Sequence, residues 1–185
     1  MSREKICAVA LGEVGVTEKG SRERIEQYLD SVTDDRWKVD LFENGKPRRL
    51  RFGDAWCACF ASWVYREAGH PIEHDHGVGC YGCHRLIDEC KKHSAWYDRS
   101  YEGQPGDLIF FDWQLDPDAF EGHEISEEGA RKIVDHVGVI IDVEKDDDGN
   151  VVAYITVEGN WGRSVKKLRR AVDSKAILGF GALVG

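Results

Sequence analysis

A cysteine at the start of the strongest predicted helix is the first residue of chemical interest. The segment 56–68, WCACFASWVYREA, has apolar residues at helical spacing and is followed by Gly69 and Pro71, which predicts a helix that begins near Cys57. Backbone N–H groups and the helix dipole favour negative charge there, so the thiol ionises more easily. A lone cysteine on an apolar stripe is more often only a small buried side chain. Cys59 lies about 200° further around the helix, so at most one of the two thiols can face a cleft on that stripe.

Polar residues on two predicted strands could complete a nucleophilic site. His136 begins the run HVGVIIDV, and Glu158 and Asn160 lie at the end of VVAYITVEGN, with a turn signal at 148–150 between the runs. An antiparallel hairpin brings the start of its first strand beside the end of its second, so we expect His136 opposite Glu158. A catalytic thiolate needs a base, and the base needs a group that fixes its tautomer. Each residue alone is better interpreted as an ordinary strand-end side chain, but with Cys57 they form a Cys–His–Glu arrangement.

The surrounding pattern indicates helices first and strands afterwards. Further helices are predicted over 4–14, 22–31 and 82–92, and strands over 107–111, 136–143, 151–158, 163–168 and 176–183. The strands lack the alternating helices of a parallel sheet, which predicts an α+β fold. No repeat or Pro/Ser-rich linker divides the chain, so we expect residues 1–185 to form a single domain.

Composition argues against several classes of function. The 185 residues carry a formal net charge of −9, so we expect no nucleic-acid partner. No apolar run of 18 residues occurs, and the first residues lack the apolar core of a signal peptide. We therefore expect a soluble protein that is synthesised in the cytoplasm and has no membrane partner. The six cysteines are too few and too clustered for a disulfide framework, which predicts mostly free thiols.

Four segments, in order, resemble the signature blocks of one enzyme family. WCACFASWVYREAG, QPGDLIFFDW, DHVGVIIDV and ITVEGNWG resemble the blocks of CHAP domains, the cysteine- and histidine-dependent amidohydrolase/peptidase family. The resemblance extends from about residue 8 to the C-terminus. It implies a papain-like fold, in which N-terminal helices that carry the nucleophile pack on a C-terminal antiparallel β-sheet that carries the base and its partner.

The resemblance also implies roles for individual residues. The nucleophile of the family falls on Cys57, its general base on His136, its third residue on Glu158 and a further polar residue on Asn160. Family members mostly cleave peptidoglycan, at the amide between muramic acid and the stem peptide or at a peptide bond in the stem or cross-bridge. The implied partner is peptidoglycan or a peptide, with no cofactor, and we expect a monomer. Such an enzyme would reach the wall after phage lysis or by non-classical delivery.

Three tryptophans adjoin these blocks. Trp56, Trp113 and Trp161 could line a substrate groove, because aromatic faces suit sugar rings and peptide planes. The alternative is that they are core or cleft-wall residues. We predict that they contact substrate.

Residues 70–93 fall outside the family pattern. They hold five of the seven histidines, and Cys80, Cys83, Cys90 and His93 have the spacing C-x2-C-x6-C-x2-H, which could hold structural zinc. Free thiols and solvated histidines are the alternative, and we predict no metal site. The CYGCH sequence in this stretch matches a haem-attachment pattern, which is a poor fit to a chain without an export signal.

Two acidic segments also need interpretation. The insertion 113–134 predicts a short helix over 126–133 and is either a flap near His136 or a surface excursion. The run 146–148 lacks the alternate-position ligands of a calcium loop and is typical of a turn.

Two other functions stay open at this stage. The chain could be a papain-like amidase on a substrate other than the cell wall, or a non-catalytic module that binds cell wall or metal. The complete set of Cys57, His136, Glu158 and Asn160 weighs against a pure binding module, which has no need of it.

Overall fold

Helices occupy the first half of the chain and the main sheet occupies the second. The computed structural model describes residues 2–32, 42–43, 46–47, 51–74, 77–113 and 134–185. Its helices are α1 (Ser2–Gly12), α2 (Arg22–Asp30), α3 (Cys57–Glu67) and α4 (Cys83–Lys92). In these ranges no helix is long and apolar enough to cross a membrane. The acidic insertion and its predicted helix over 126–133 lie outside the described residues, apart from Trp113 and Val134.

The strands form two short hairpins and one larger sheet. The hairpins pair β1 (Phe42–Glu43) with β2 (Lys46–Pro47) and β3 (Glu73–His74) with β4 (Gly77–Val78). The sheet contains β5 (Trp96–Tyr97), β6 (Leu108–Phe111), β7 (His136–Lys145), β8 (Val151–Glu158), β9 (Lys166–Ala171) and β10 (Ile177–Gly181). All neighbours are antiparallel, in the order β5-β10-β6-β7-β8-β9. The predicted α+β fold, with N-terminal helices and a C-terminal antiparallel sheet, is confirmed.

One predicted strand is displaced along the chain. The strand expected over 163–168 is β9, which begins at Lys166. Three residues ahead of it have left-handed φ angles: Asn160 (62°), Gly162 (58°) and Arg163 (60°). The N–H of Trp161 donates to the carbonyl of Ser164 at 3.0 Å, which closes a turn. A strand cannot run through left-handed residues, so pairing with β8 resumes only after them.

Alternate residues of the sheet face two separate apolar cores. Leu108, Phe110, Val137, Val139 and Val157 pack with the helices in the larger core. Ile109, Phe111, Ile140, Tyr154 and Phe180 belong to a smaller core on the other face. This is the period-two alternation of strands that are buried on both sides. His136 pairs with Phe111 of β6 and therefore begins β7 on the face of the smaller core.

Helix α3 is surrounded by other elements. It contacts α1, α2, α4, β7 and β8, and residues 57–65 are all buried. The apolar stripe seen in the sequence is only part of the surface that this helix buries. Cys57 and Cys59 are consequently both buried, although they lie on different sides of the helix.

Candidate active site

Helix α3 places Cys57 at its first position, where backbone N–H groups have no acceptor within the helix. The residue before it, Trp56, occupies the N-cap position, and its carbonyl accepts the N–H of Phe60 at 2.8 Å. Cys57 is 6% exposed, so the residue is largely removed from water. The helix start therefore presents a desolvated thiol beside backbone N–H groups that no carbonyl within the helix accepts, and the N–H of Ala58 is hydrogen-bonded to the sulfur.

Trp56 anchors this helix start from within the core. Its side chain is fully buried, its indole Nε1 donates to Glu18 at 2.9 Å, and its ring packs against Tyr28 and Phe60. A fully buried ring offers no surface to a substrate in this structure, which counts against the prediction that Trp56 lines a groove. The neighbouring position in the sequence suggested proximity to the site, but the side chain points away from it into the larger core.

His136 and Glu158 are hydrogen-bonded, although not through the register that the hairpin predicted. His136 Nε2 lies 2.9 Å from Glu158 Oε2. The β7–β8 ladder pairs Val139 with Val157, which places Gly138, rather than His136, opposite Glu158. The predicted register was therefore wrong by two residues. Because side chains alternate with a period of two, a shift of two leaves both residues on the same face.

Gly138 provides the room that this diagonal contact needs. A Cβ atom at position 138 would lie 2.7 Å from Cγ of Glu158, closer than such atoms can approach. Strand β8 also meets α3 closely just after the site, because a Cβ atom at Gly159 would lie 2.5 Å from Cβ of Phe60. Gly138 therefore leaves room for the Glu158 side chain, and Gly159 lets strand β8 approach the first turn of α3.

We expect Gly138→Ala to lower turnover by about 100-fold, because a displacement of about 1 Å in a positioning group costs that much. The added methyl group pushes Glu158 away from His136. Steady-state kinetics on an amide substrate measure the effect. Gly12→Ala is the matched control, since a Cβ atom there meets nothing within 4 Å, and it should retain full turnover. Unchanged turnover in Gly138→Ala would contradict the geometry.

The carboxylate of Glu158 is fully buried and held on both oxygens. Arg170 donates Nε to Oε1 at 2.8 Å and Nη2 to Oε2 at 2.7 Å, and the Thr156 hydroxyl donates to Oε1 at 2.6 Å. Burial alone would raise the pKa of Glu158, but hydrogen bonds from Arg170 and His136 outweigh burial and lower this pKa to about 2. Glu158 is therefore a carboxylate at neutral pH.

Arg170 was missed by the sequence reasoning. Its side chain is 12% exposed, and its guanidinium lies over the rings of Phe111, Trp113 and Trp161, at 5.2, 4.9 and 4.3 Å from their centroids. The position is opposite Tyr154 in the β8–β9 ladder. The sequence did contain a sign of its position, because the alternation in KKLRRA places Arg170 on the same face as the apolar Leu168. The strand was predicted over 163–168, however, and that range ends before Arg170.

The other two tryptophans lie around the imidazole. The rings of Trp113 and Trp161 are 6.2 and 5.6 Å from the ring of His136 and 5.4 Å from each other. Trp113 is only 4% exposed, whereas Trp161 is partly exposed. Of the three tryptophans predicted to contact substrate, Trp161 is therefore the one whose surface is available to a ligand.

Cys57 lies between two hydrogen-bonding partners. Its Sγ atom is 3.6 Å from Sγ of Cys83, the first residue of α4. The hydrogen bond with Cys83 and the hydrogen bond with His136 lower the pKa of Cys57 and together outweigh burial, which acts in the opposite direction. The pKa of Cys83 is raised by the same contact and by burial, so Cys83 keeps its proton and donates to Cys57.

The imidazole completes a chain of charges. Burial alone would lower the pKa of His136, but its hydrogen bonds to Cys57 and Glu158 raise this pKa to about 9. With Nε2 directed at Glu158, Nδ1 is the ring nitrogen left for the thiol. At neutral pH the group therefore holds a thiolate, an imidazolium and a carboxylate in sequence, with Arg170 beyond the carboxylate. Such an arrangement can deliver an activated sulfur and a proton to the same substrate bond.

A comparison with protein families agrees with this arrangement. A family model described as CHAP domain matches residues 50–160, more than half of the chain. The chain belongs to the CHAP family. Members of the CHAP family are cysteine- and histidine-dependent amidohydrolases and peptidases, so the chain belongs to a family of hydrolases. No match was found among curated proteins or solved structures.

The matched range contains all four residues that the CHAP resemblance assigned to the site, and it ends before Arg170. The structure brings Cys57, His136 and Glu158 together. Among the described residues it shows no hydrogen bond between Asn160 and these three. Asn160 is partly buried in the left-handed turn after β8, and its side chain makes no hydrogen bond within the described residues. Its implied role stays a prediction.

The cysteines near α4 do not assemble into a metal site. Within the described ranges, no group of three or more His, Cys, Asp or Glu residues is arranged to hold a metal ion. Cys83 is directed at Cys57, Cys90 packs against the backbone of Gly181, and His93 is directed at Glu89. The zinc spacing in the sequence therefore does not correspond to a shared centre in these residues.

Alkylation should separate Cys57 from the other thiols. The pKa of Cys57 is lowered, whereas burial raises the pKa of Cys59 and of Cys7. Iodoacetamide reacts with thiolates, so we expect it to label Cys57 at least about tenfold faster than Cys59 or Cys7 near neutral pH. Peptide mapping after brief exposure measures the order. The difference should disappear in denaturant, and preferential labelling of Cys59 or Cys7 in the folded chain would contradict the site.

Proposed function

We propose that the chain is a cysteine hydrolase that cleaves amide bonds of peptidoglycan. The bond is the N-acetylmuramoyl-L-alanine amide or a peptide bond in the stem or cross-bridge. The observation that carries the proposal is the sequence of contacts from the thiol of Cys57 through His136 to the buried carboxylate of Glu158. The family supplies the class of substrate. The partly exposed Trp161 beside His136 supports it, because an aromatic face suits a sugar ring or peptide plane.

The geometry supports an acyl-transfer mechanism. The Cys57 thiolate attacks the amide carbonyl, and the N–H groups at the start of α3 stabilise the oxyanion that forms. His136 donates its proton to the leaving amine as the tetrahedral intermediate collapses to an acyl-enzyme. The neutral imidazole then takes a proton from water, which attacks the thioester and releases the acid. Glu158 keeps the imidazole oriented and stabilises its charged form throughout both steps.

Digestion of purified peptidoglycan tests the proposal. The wild-type chain and Cys57→Ala are incubated with walls of several chemotypes, and mass spectrometry identifies the released ends. New amine and carboxyl ends that appear with the wild type alone would support the function and identify the bond. If neither protein releases new ends from any chemotype while the wild type is folded, the peptidoglycan proposal is refuted. Cleavage of a different amide substrate by the wild type alone would reassign the substrate.

The pH dependence of turnover should reflect the imidazolium. The pKa of His136 is raised to about 9, so His136 keeps its proton through neutral pH and loses it above that value. Deprotonation removes both the proton for the leaving amine and the partner of the thiolate. We therefore expect kcat/KM to fall above about pH 9 and to be nearly constant between pH 7 and 8. A pH–rate profile in which kcat/KM already falls near pH 6.5, the usual pKa of histidine, would show that the contacts of His136 do not raise its pKa.

A further inference from the structure

The nucleophile has a second thiol as its neighbour. The Sγ atoms of Cys57 and Cys83 lie 3.6 Å apart, and each residue is the first of its helix, α3 and α4 respectively. Both residues are buried but not completely, with 6% and 7% of the residue surface exposed. The acyl-transfer mechanism uses only one of these sulfurs.

We propose that Cys57 and Cys83 form an oxidation site, at which a hydroperoxide converts the two thiols into an intramolecular disulfide. The sulfurs are in contact but unbonded, and a disulfide requires them to approach to about 2.05 Å. Both residues are the first of their helices. From their separation of 3.6 Å the two sulfurs must close a gap of about 1.5 Å.

The chemistry balances with peroxide as the only co-reactant. The Cys57 thiolate attacks one peroxide oxygen, which breaks the O–O bond, forms a sulfenic acid on Cys57 and releases hydroxide. The sulfur of Cys83 then attacks the sulfenic sulfur, which forms the S–S bond, and the hydroxyl leaves with the proton of Cys83 as water. The hydroxide takes up the proton that Cys57 gave up when it ionised. With hydrogen peroxide the two sulfurs therefore lose two electrons and two protons in total, and the peroxide is reduced to two waters.

The roles of the two sulfurs follow from their surroundings. Cys57 receives hydrogen bonds from His136 and Cys83, so it is the thiolate that reacts first. Cys83 keeps its proton, so it does not react with peroxide first and instead acts as the resolving thiol that attacks the sulfenic acid on Cys57. All six cysteines lie in the described ranges, and among them the 57–83 pair is the one joined by a thiol–thiol hydrogen bond. The site is thus specific to this pair.

Mass spectrometry of the full chain tests the proposal without any substrate. The reduced protein is treated with a few equivalents of hydrogen peroxide, alkylated, and measured intact and after proteolysis. We expect a product about 2 Da lighter than the reduced chain, a cross-linked peptide joining positions 57 and 83, and full reversal by dithiothreitol. Wild-type protein that gains oxygen on Cys57 without this cross-linked peptide would overturn the proposal, whatever the variants do.

Two variants sharpen the test. Cys83→Ser should give no cross-link and should accumulate one or two oxygens on Cys57 instead, because the sulfenic acid has no resolving thiol. Cys80→Ser removes a buried thiol from the same segment and should still form the 57–83 disulfide. A Cys83→Ser protein that still loses about 2 Da would show that another thiol resolves Cys57 and would overturn the assignment.

Turnover assays add a separate arm. If the chain is the hydrolase proposed above, the disulfide abolishes turnover and dithiothreitol restores it, because the nucleophilic sulfur is blocked and then released. The mass readout does not depend on that function. A wild type that forms the cross-link but shows no turnover even after reduction would leave the oxidation site intact and count against the proposed hydrolase alone.

Discussion

Cys57→Ala is expected to lower turnover of an amide substrate by at least about 10⁴-fold, as removal of a nucleophile does in other acyl-transfer enzymes. We expect no other sulfur to replace it, since the pKa of Cys83 is raised and no hydrogen bond joins Cys83 to His136 among the described residues. The fold should survive, because the change removes one small atom and leaves the His136–Glu158 pair in place. The free energy of unfolding should fall by about 1 kcal/mol. Kinetics and urea denaturation of the same preparation measure the two effects.

Cys59→Ala is the matched control for this prediction. Cys59 lies on the same helix two residues further on, it is fully buried, and burial raises its pKa. Its replacement should cost a similar stability of about 1 kcal/mol and leave turnover within about twofold of the wild type. The prediction fails if Cys57→Ala keeps more than a small fraction of the turnover, or if Cys59→Ala loses turnover while it remains folded.

Arg170→Met is expected to destabilise the fold by about 3–5 kcal/mol, because it leaves the buried carboxylate of Glu158 without its counter-charge. Methionine keeps much of the apolar volume against the surrounding rings but none of the hydrogen bonds. Loss of Arg170 also removes an interaction that holds the pKa of Glu158 low, so the carboxylate takes up a proton more readily and stabilises the His136 imidazolium less. Turnover should therefore fall even under conditions in which the variant is folded.

Two further proteins separate these effects. Arg169→Met removes the adjacent arginine, whose ion pair with Glu144 is exposed, and should change stability by less than about 1 kcal/mol. The double variant Arg170→Met/Glu158→Gln no longer buries an unpaired charge and should recover part of the lost stability without recovering turnover. Urea unfolding at neutral pH gives the free energies. Equal effects of Arg170→Met and Arg169→Met would show that the buried pair has no special role.

The sequence was sufficient for the fold class and for the meeting of three site residues. Hydrophobic periodicity located the helices and strands, and the helix start placed Cys57. The contact between His136 and Glu158 could be anticipated although the predicted register was wrong. Side chains alternate between the two faces of a sheet, so a register that is wrong by an even number of residues still puts both side chains on the same face. The exact register could not be anticipated, because the β7–β8 ladder shifts twice along its length, between 140 and 142 and between 144 and 145. Such irregularities depend on packing and leave no mark in the period-two pattern.

Other parts of the site depend on contacts that no local pattern encodes. The proximity of Cys83 to Cys57 requires the packing of α4 on α3, and the sequence placed Cys83 in a zinc motif instead. Trp56 adjoins Cys57 in the chain, yet its ring turns into the core, where its indole donates a hydrogen bond to Glu18. Arg170 is a basic residue in a strand rich in basic residues, so only the placement of its partner Glu158 distinguishes it from a solvated side chain.

Strand β9 is the edge strand of the sheet beside β8, and its outward residues are exposed. Edge strands fray more readily than central ones, and their amides exchange with solvent through local opening rather than global unfolding. Because Arg170 comes from this strand, fraying of β9 withdraws the counter-charge of the Glu158 carboxylate while the central strands stay paired. Under the proposed function, heat should therefore abolish turnover before it melts the core, with deuterium uptake at 166–171 rising in the same temperature range.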